Sequence, residues 1–282
     1  MRVALADRVG GPRYHVGCSG WSYNGWKGTF YPDKLPQSKQ LEYYASVFDV
    51  VEVDSTFYTL PRPEVVKGWR ERTPEHFKFV PKLFKGITHG LRRAVADKSL
   101  EALVDKYFES ITKLGTKLAA TVIQLPPGFH ARHADDLFAL LDELPGNIGH
   151  AIEFRNASWF ADARVLARIE RQGNLSIAGS IHPDVEPFVK KTADFYVFRF
   201  IGDRELEWFG AIQRDKQQQM EEIKRRMDAE FQDIRDTFVF FNNHYAGFGP
   251  ASVNLFREMA GMKPAMFGGA GRNQKTLGDF LM

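Results

Sequence analysis

The sequence predicts an α/β protein: a single (β/α)8 barrel of the TIM type with an irregular sixth unit. Three observations predict it. Short apolar runs alternate with amphipathic segments eight times along the chain. The runs are apolar on both faces, as parallel strands covered by helices should be. No low-complexity linker divides the units, and 282 residues suit eight of them. An open doubly wound sheet is the structural alternative, but no GxGxxG follows the first strand.

The elements follow in order. Residues 1–13 read as an extension, and 14–282 as one barrel domain. Tyr14 to Ser19 is a first strand, stopped by Gly20. The stretch GWSYNGWKGTFYP is a structured loop. Ser38 opens a helix with Leu41, Tyr44, Ala45 and Phe48 at helical spacing. Val50 to Tyr58 is the second strand, and Pro63 starts the next helix. Lys78 to Leu83 is the third strand, followed by a long loop and a helix over about Asp97 to Leu114. Leu118 to Leu125 is the fourth, stopped by Pro126 and Pro127. Ala134 to Leu144 is helical, His150 to Asn156 is strand five, and Ala161 to Gln172 is helical. Leu175 to Ser180 is a short sixth strand without a full helix after it. Asp194 to Gly202 is strand seven, Arg214 to Phe231 a charged helix, and Thr237 to Asn243 strand eight. Pro250 to Gly261 is the last helix, and a Gly-rich tail follows Lys263.

The totals narrow the function classes. Net charge is only +3, milder than a dedicated nucleic-acid clamp requires. The single cysteine, Cys18, rules out an internal disulfide and suits a reducing compartment. No apolar run approaches the roughly 20 residues of a membrane helix. The N-terminal stretch lacks a signal-peptide core. The expectation is a cytoplasmic protein without a membrane partner; the sequence leaves its oligomeric state open.

In such barrels function sits where the strands end. The strand ends here carry Ser19 and Trp21; Glu52, Asp54 and Thr56; Lys82; Gln124; Glu153 and Arg155; Ser180 and His182; Arg199; and Asn242 and Asn243. Buried carboxylates are costly unless paired or used. Glu153, with Arg155 two residues on, is the first candidate acid/base group, and Glu52 the second. An interior salt-bridge network without chemistry would use the same residues. Tyr58, Lys82, Gln124, Arg155 and Arg199 are the expected ligand contacts. Trp21, in an aromatic loop that also holds Tyr23, and Trp159 could stack on a sugar or base at the cleft mouth, or simply pack the loops down.

Strand eight ends in FNNHYAGFGP. Asn242 and Asn243 alternate, so one of them is expected to reach the cleft. Gly247 frees the backbone ahead of a helix that Pro250 starts, which predicts an anion site at its N–H groups. A plain strand-to-helix turn is the alternative. No cofactor motif is present, and no metal ligands are assigned. His89, His182 and His244, with Glu52 or Glu153, could assemble a divalent zinc or manganese site, though no local spacing demands one.

Six ordered motifs carry a resemblance: GCSGWSYNGWKGTFYP, EVDSTFYTLP, FKFVPKLFKGITH, QLPPGF, IEFRNASW and FNNHYAGFGP. The chain resembles the YecE-like family, domain of unknown function 72, which is similar to TIM barrels. The resemblance implies no established reaction. It also implies departures. The family usually has Asn at the position of Asp54, and His at those of Asn156 and Phe248. It usually has Leu-His-Gly where this chain has Phe200, Ile201 and Gly202.

Two enzyme readings and one non-enzymatic reading follow. The first is acid/base chemistry on a small polar ligand, sugar-like or phosphorylated. The second is a nucleic-acid-directed phosphodiesterase, using basic runs such as Lys85 to Arg93 and Lys224 to Arg226. The third is a binding protein that kept the barrel without catalysis.

Overall fold

A computed structural model describes residues 12–182, 185–203 and 205–268. The expected extension up to residue 11 and the tail from residue 269 lie outside the described residues. Among the described residues nine strands form: β1 (Tyr14–Ser19), β2 (Val50–Val53), β3 (Lys78–Pro81), β4 (Thr121–Gln124), β5 (His150–Glu153), β6 (Leu175–Ile177), β7 (Gly179–Ile181), β8 (Phe195–Phe200) and β9 (Asp236–Phe241). They make two parallel sheets. One has six strands in the order β3-β2-β1-β9-β8-β7, and the other has β4-β5-β6. The fold is therefore α/β with parallel sheets and helices, but its ladders do not close into one eight-stranded ring.

The difference arises at two seams. The expected sixth strand divides at Ala178, whose N–H bonds the Ile152 carbonyl at 2.9 Å. Leu175 to Ile177 then pairs with β5, while Gly179 to Ile181 pairs with β8. A Cβ at Gly179 would collide with the Tyr196 hydroxyl and the Phe188 carbonyl, so only glycine permits that second pairing. At the other seam β3 and β4 meet through isolated bridges. Leu83 N donates to Val122 O at 2.8 Å, and Ala119 N to Phe79 O at 3.0 Å.

Strand parity divides the apolar residues into two cores. Side chains alternate between faces along a strand. Val51, Val53, Phe79, Ile123, Ile152, Ile177, Phe198 and Phe241 belong to an outer core that meets the helices. Val50, Val80, Val122, Ala151, Ala178, Val197 and Phe240 form a separate inner cluster. Helices supply the other half of the outer core. Leu41 and Tyr44 are buried from Gln40–Val47, and Val66 and Trp69 from Pro63–Glu71. Val104, Tyr107 and Phe108 come from Leu100–Ile111, and Leu137, Leu140 and Leu141 from Ala134–Glu143. Ile223 and Met227 come from Gln217–Glu230, and Val253 and Phe256 from Gly249–Met259. The helix Ala163–Arg171 begins at Asp162, whose carboxylate accepts from the N–H groups of Arg164 and Val165. Such a cap stabilises a helix by about 1 kcal/mol.

Two expectations change here. The second strand stops at Val53, not Tyr58, because Asp54 turns into helical geometry and Ser55–Tyr58 form one helical turn. The loop expected after the third strand holds two short helices, Lys85–Thr88 and Leu91–Ala96. Among the described residues no helix is long and apolar enough to cross a membrane.

Candidate functional site

Two residues beyond the inner cluster, the same strand faces become polar. Val50, Val80, Val122, Ala151, Ala178 and Val197 are followed at i+2 by Glu52, Lys82, Gln124, Glu153, Ser180 and Arg199. The step occurs at the C-terminal end of each strand, so the polar groups converge. Cross-strand register keeps two pairs of them level: Gln124 lies opposite Glu153, and Ser180 opposite Arg199.

Arg199 is the centre of this layer. Its Nε and Nη2 grip Glu52 in a fork, at 2.5 and 2.6 Å. Its Nη1 donates to Glu153, and Nη2 lies 3.5 Å from Asp54 Oδ1. Arg155 Nε donates to the other oxygen of Glu153, and its Nη2 reaches Gln124 Oε1 at 3.2 Å. Lys82 Nζ donates to the same Gln124 oxygen at 2.8 Å. It also sits 3.7 Å from Asp54 and 4.1 Å above the Phe57 ring. Three carboxylates thus face three cations in one connected network.

Depth separates the members. Glu52 and Glu153 are 0% exposed, whereas the Asp54 side chain is 25% exposed. A cavity of about 570 Å³ opens above the layer. Its lining includes Asp54, Lys82, Gln124, Arg155 and Arg199, but neither glutamate. Asn242, Asn243, His182 and His244 also line it, with Tyr23, Tyr58 and Phe209. Asn243 Nδ2 and Ser19 Oγ are buried without a hydrogen-bond partner. A buried donor left unmade costs about 1–3 kcal/mol.

The electrostatics differ from group to group. Burial pushes Glu52 up to about 7, opposed by Arg199 and reinforced by the Asp54 charge. Burial would also raise Glu153, but Arg199, Arg155 and Lys82 outweigh it and hold it at about 2. Asp54 feels the same burial penalty, yet Lys82 and Arg199 keep it below the ordinary carboxylate range. Burial, with Arg199 adding to it, pulls the Lys82 amine below the usual lysine range. Arg199 rises further above its ordinary value: burial opposes its charge, but Glu52 and Glu153 more than offset that.

Of the expected ligand contacts, Tyr58, Lys82, Gln124, Arg155, Arg199, Asn242 and Asn243 line the cavity. Both asparagines reach it because β9 ends at Phe241 and the chain turns into Asn243–Ala246. Trp159 does not line the mouth. It is fully buried, donates its indole N–H to Phe129 O at 2.6 Å and stacks on Phe154. Trp21 packs edge-on against Trp69, outside the cavity lining. Gly247 is also outside it; its φ of 102° serves the turn. At the last helix, where the anion site was expected, the first N–H is bonded from within. Asn243 Oδ1 accepts from Gly249 N at 2.9 Å and from Trp26 Nε1 at 2.9 Å.

His182 and His244 line the cavity, whereas His89 lies in a separate groove with Arg92 and Arg93. Among the described residues no group of three or more His, Cys, Asp or Glu is disposed to hold a metal ion. Phe209 joins the lining from a stretch with no sequence signal. Tyr23 joins it from the aromatic loop, whose rings the sequence offered either as stacking groups at the cleft mouth or as packing for the loop.

A family profile described as "Protein of unknown function DUF72" matches residues 15–276. The chain is 28% identical over 255 residues to UPF0759 protein YunF of Bacillus subtilis, covering 83% of this chain and 89% of that one. It is 33% identical over 147 residues to UPF0759 protein YecE of Escherichia coli K12, a match to half of that protein's length (52% of this chain, 50% of that one). A DUF72 family protein of Enterococcus faecalis V583 superposes with a TM-score of 0.70 at 21% identity, over 89% of this chain and 99% of its own. One of Thermotoga maritima MSB8 does so with a TM-score of 0.71 at 25% identity, over 88% and 99%.

Proposed function

Because the chain belongs to the DUF72 family, whose description carries no activity, we propose a function from the site itself: binding of a small polar ligand that bears a phosphate or carboxylate, with acid/base chemistry on it. Lys82, Arg155 and Arg199 receive the anionic group. Gln124, Asn242 and Asn243 add neutral hydrogen bonds, as a sugar-like ligand needs. Asp54 is the carboxylate in contact with the ligand. Glu52 and Glu153 act through Arg199 as positioning residues, since neither reaches the cavity.

One observation carries this reading. Three cations present themselves to an open cavity while two of their carboxylate partners lie behind them. Such a cluster is preorganised by its buried partners and faces the ligand with positive charge. The two glutamates differ in charge state. Glu153 is held ionised by two arginines and suits orientation, while Glu52 takes up a proton near neutrality. The architecture is consistent with one domain over residues 14–282 and one barrel built from both sheets. Hydrogen bonds across the β3–β4 seam and the run shared by β6 and β7 support that reading.

Isothermal titration with small sugar phosphates tests the function. Expected is a saturable site that Arg155→Met weakens at least tenfold. Affinity should rise as pH falls through about 7, because a bound anion favours the protonated form of Glu52. Tight, strongly salt-dependent binding of duplex DNA or RNA, unchanged in Arg155→Met, would favour the nucleic-acid reading instead. Binding without turnover of any bound compound would favour the non-enzymatic one.

A further inference from the structure

Lys82 is the only amine among the described residues lining the cavity. Its placement is more specific than neutralising a charge requires. The backbone is fixed from below, where Thr56 Oγ1 and Tyr107 OH both donate to the Lys82 carbonyl, at 2.7 and 3.0 Å. The ammonium is fixed above by Gln124 Oε1 and the Phe57 ring. An acid stands beside it, Asp54 Oδ1 at 3.7 Å. Two further cations, Arg155 and Arg199, flank the same floor. A buried lysine beside another cation is the setting in which the amine becomes nucleophilic at neutral pH. The downward pull on its pKa, from burial and then Arg199, agrees with this setting.

We propose that Lys82 captures the carbonyl carbon of an anionic aldehyde or ketone, such as a sugar phosphate in its open form, as an imine. The inference rests on the anion-binding reading of the same cleft and adds to it the substrate class. In the step, the Lys82 ammonium passes one proton to Asp54. The freed nitrogen lone pair attacks the carbonyl carbon, and the C=O π pair moves to oxygen. A proton passes from nitrogen to that oxygen, leaving a neutral carbinolamine. Asp54 returns its proton to the hydroxyl, which leaves as water while the nitrogen lone pair forms the C=N bond. The products are a protonated imine, one water and ionised Asp54. No oxidant or reductant enters. Arg155 and Arg199 would hold the phosphate while the carbonyl turns towards Nζ.

The test is reductive trapping of the full chain with glycolaldehyde phosphate and sodium cyanoborohydride, read by intact mass and peptide mapping. Expected is a single dominant adduct at Lys82, formed at least tenfold faster than at any other lysine. Inorganic phosphate should compete with it. Acetaldehyde, without the anion, should lose the preference for Lys82. Asp54→Asn should slow trapping about tenfold with the adduct still at Lys82. Lys82→Arg should abolish that adduct while glycerol phosphate, which has no carbonyl, still binds. Adducts spread evenly over surface lysines, with glycerol phosphate binding intact, would overturn the imine and leave the anion-binding cleft standing. Neither trapping at Lys82 nor any phosphate binding would overturn both.

Discussion

The inner faces of the strands hold two layers with opposite chemistry, only two residues apart. The lower layer is an apolar plug of Val50, Val80, Val122, Ala151, Ala178 and Val197. The upper layer is the network around Arg199. Both are buried, but the plug gains stability from leaving water, whereas a buried ionic network at best breaks even against apolar filling. A fold that needed only stability could continue the plug upward. The network lies at the C-terminal ends, where the cavity opens. The contrast therefore matches stability to one layer and the proposed binding to the other.

The sharpest way to break this contrast is Arg199→Met. The substitution keeps volume but leaves Glu52 and Glu153 without their shared partner. Stripping one side from a buried pair costs roughly 3–5 kcal/mol. Urea unfolding at pH 7 should show a loss of this size. The loss should shrink at acid pH, where the carboxylates accept protons. A loss below 1 kcal/mol at pH 7 would mean that water reaches the network.

The next effect separates the two glutamates by pH. Glu153 titrates at about 2 in the folded chain, below the ordinary 4.5. Its contribution to stability is therefore present above pH 4.5 and lost as pH falls towards 2. Glu52 titrates at about 7, above the ordinary 4.5. Its contribution is present below pH 4.5 and lost as pH rises through about 7. Each limb is worth on the order of 3 kcal/mol. Glu153→Gln should flatten the acid limb, and Glu52→Gln the limb between pH 4.5 and 7. Stability measured against pH for both variants checks this; identical profiles would remove the distinction between them.

The two layers were unequally legible in the sequence. The i+2 step from Val50 to Glu52, or Val197 to Arg199, is visible in the chain because strand parity is a local property. The first strand, Tyr14–Ser19, was legible to the residue. Height along the fold was not, because it depends on pairing between strands. Glu52 lies opposite Val80, which puts Lys82 a step higher and into the cavity. So Glu52 and Glu153 stood out as acids, but their position beneath the floor did not. VEVDSTFY has the composition of a strand throughout. Its turn at Asp54 brings the Thr56 hydroxyl within 2.8 Å of the Val53 carbonyl and 2.7 Å of the Lys82 carbonyl, the latter a long-range contact. Trp159 marks the same limit, since an aromatic after a strand suits a cleft mouth or a core equally.

A smaller effect tests the plug. Val197→Ala removes two methyl groups from the inner cluster, directly below Arg199. The expected loss is about 2 kcal/mol. Its signature is a uniform loss across pH 3–8, because no charge changes partner. Sugar-phosphate affinity should stay within twofold of the unaltered protein. A pH-dependent loss would show that the two layers are mechanically coupled.

The smallest expected effect lies at the boundary between the layers and the cavity, in Asp54→Asn. The side chain is 25% exposed, and its nearest cations, at 3.5 and 3.7 Å, have other partners. Stability at pH 7 should therefore change by less than about 1 kcal/mol. The informative quantity is the shape of the pH profile. Asp54 contributes to the upward push on Glu52, so removing its charge lets Glu52 ionise at lower pH. The decline in stability between pH 4.5 and 7 should become shallower, while the acid limb set by Glu153 stays in place. A variant with an unchanged neutral limb would show that Asp54 is screened from Glu52 by the cavity water. It would then belong to the solvent side of the boundary, and Glu52 would owe its raised pKa to burial alone.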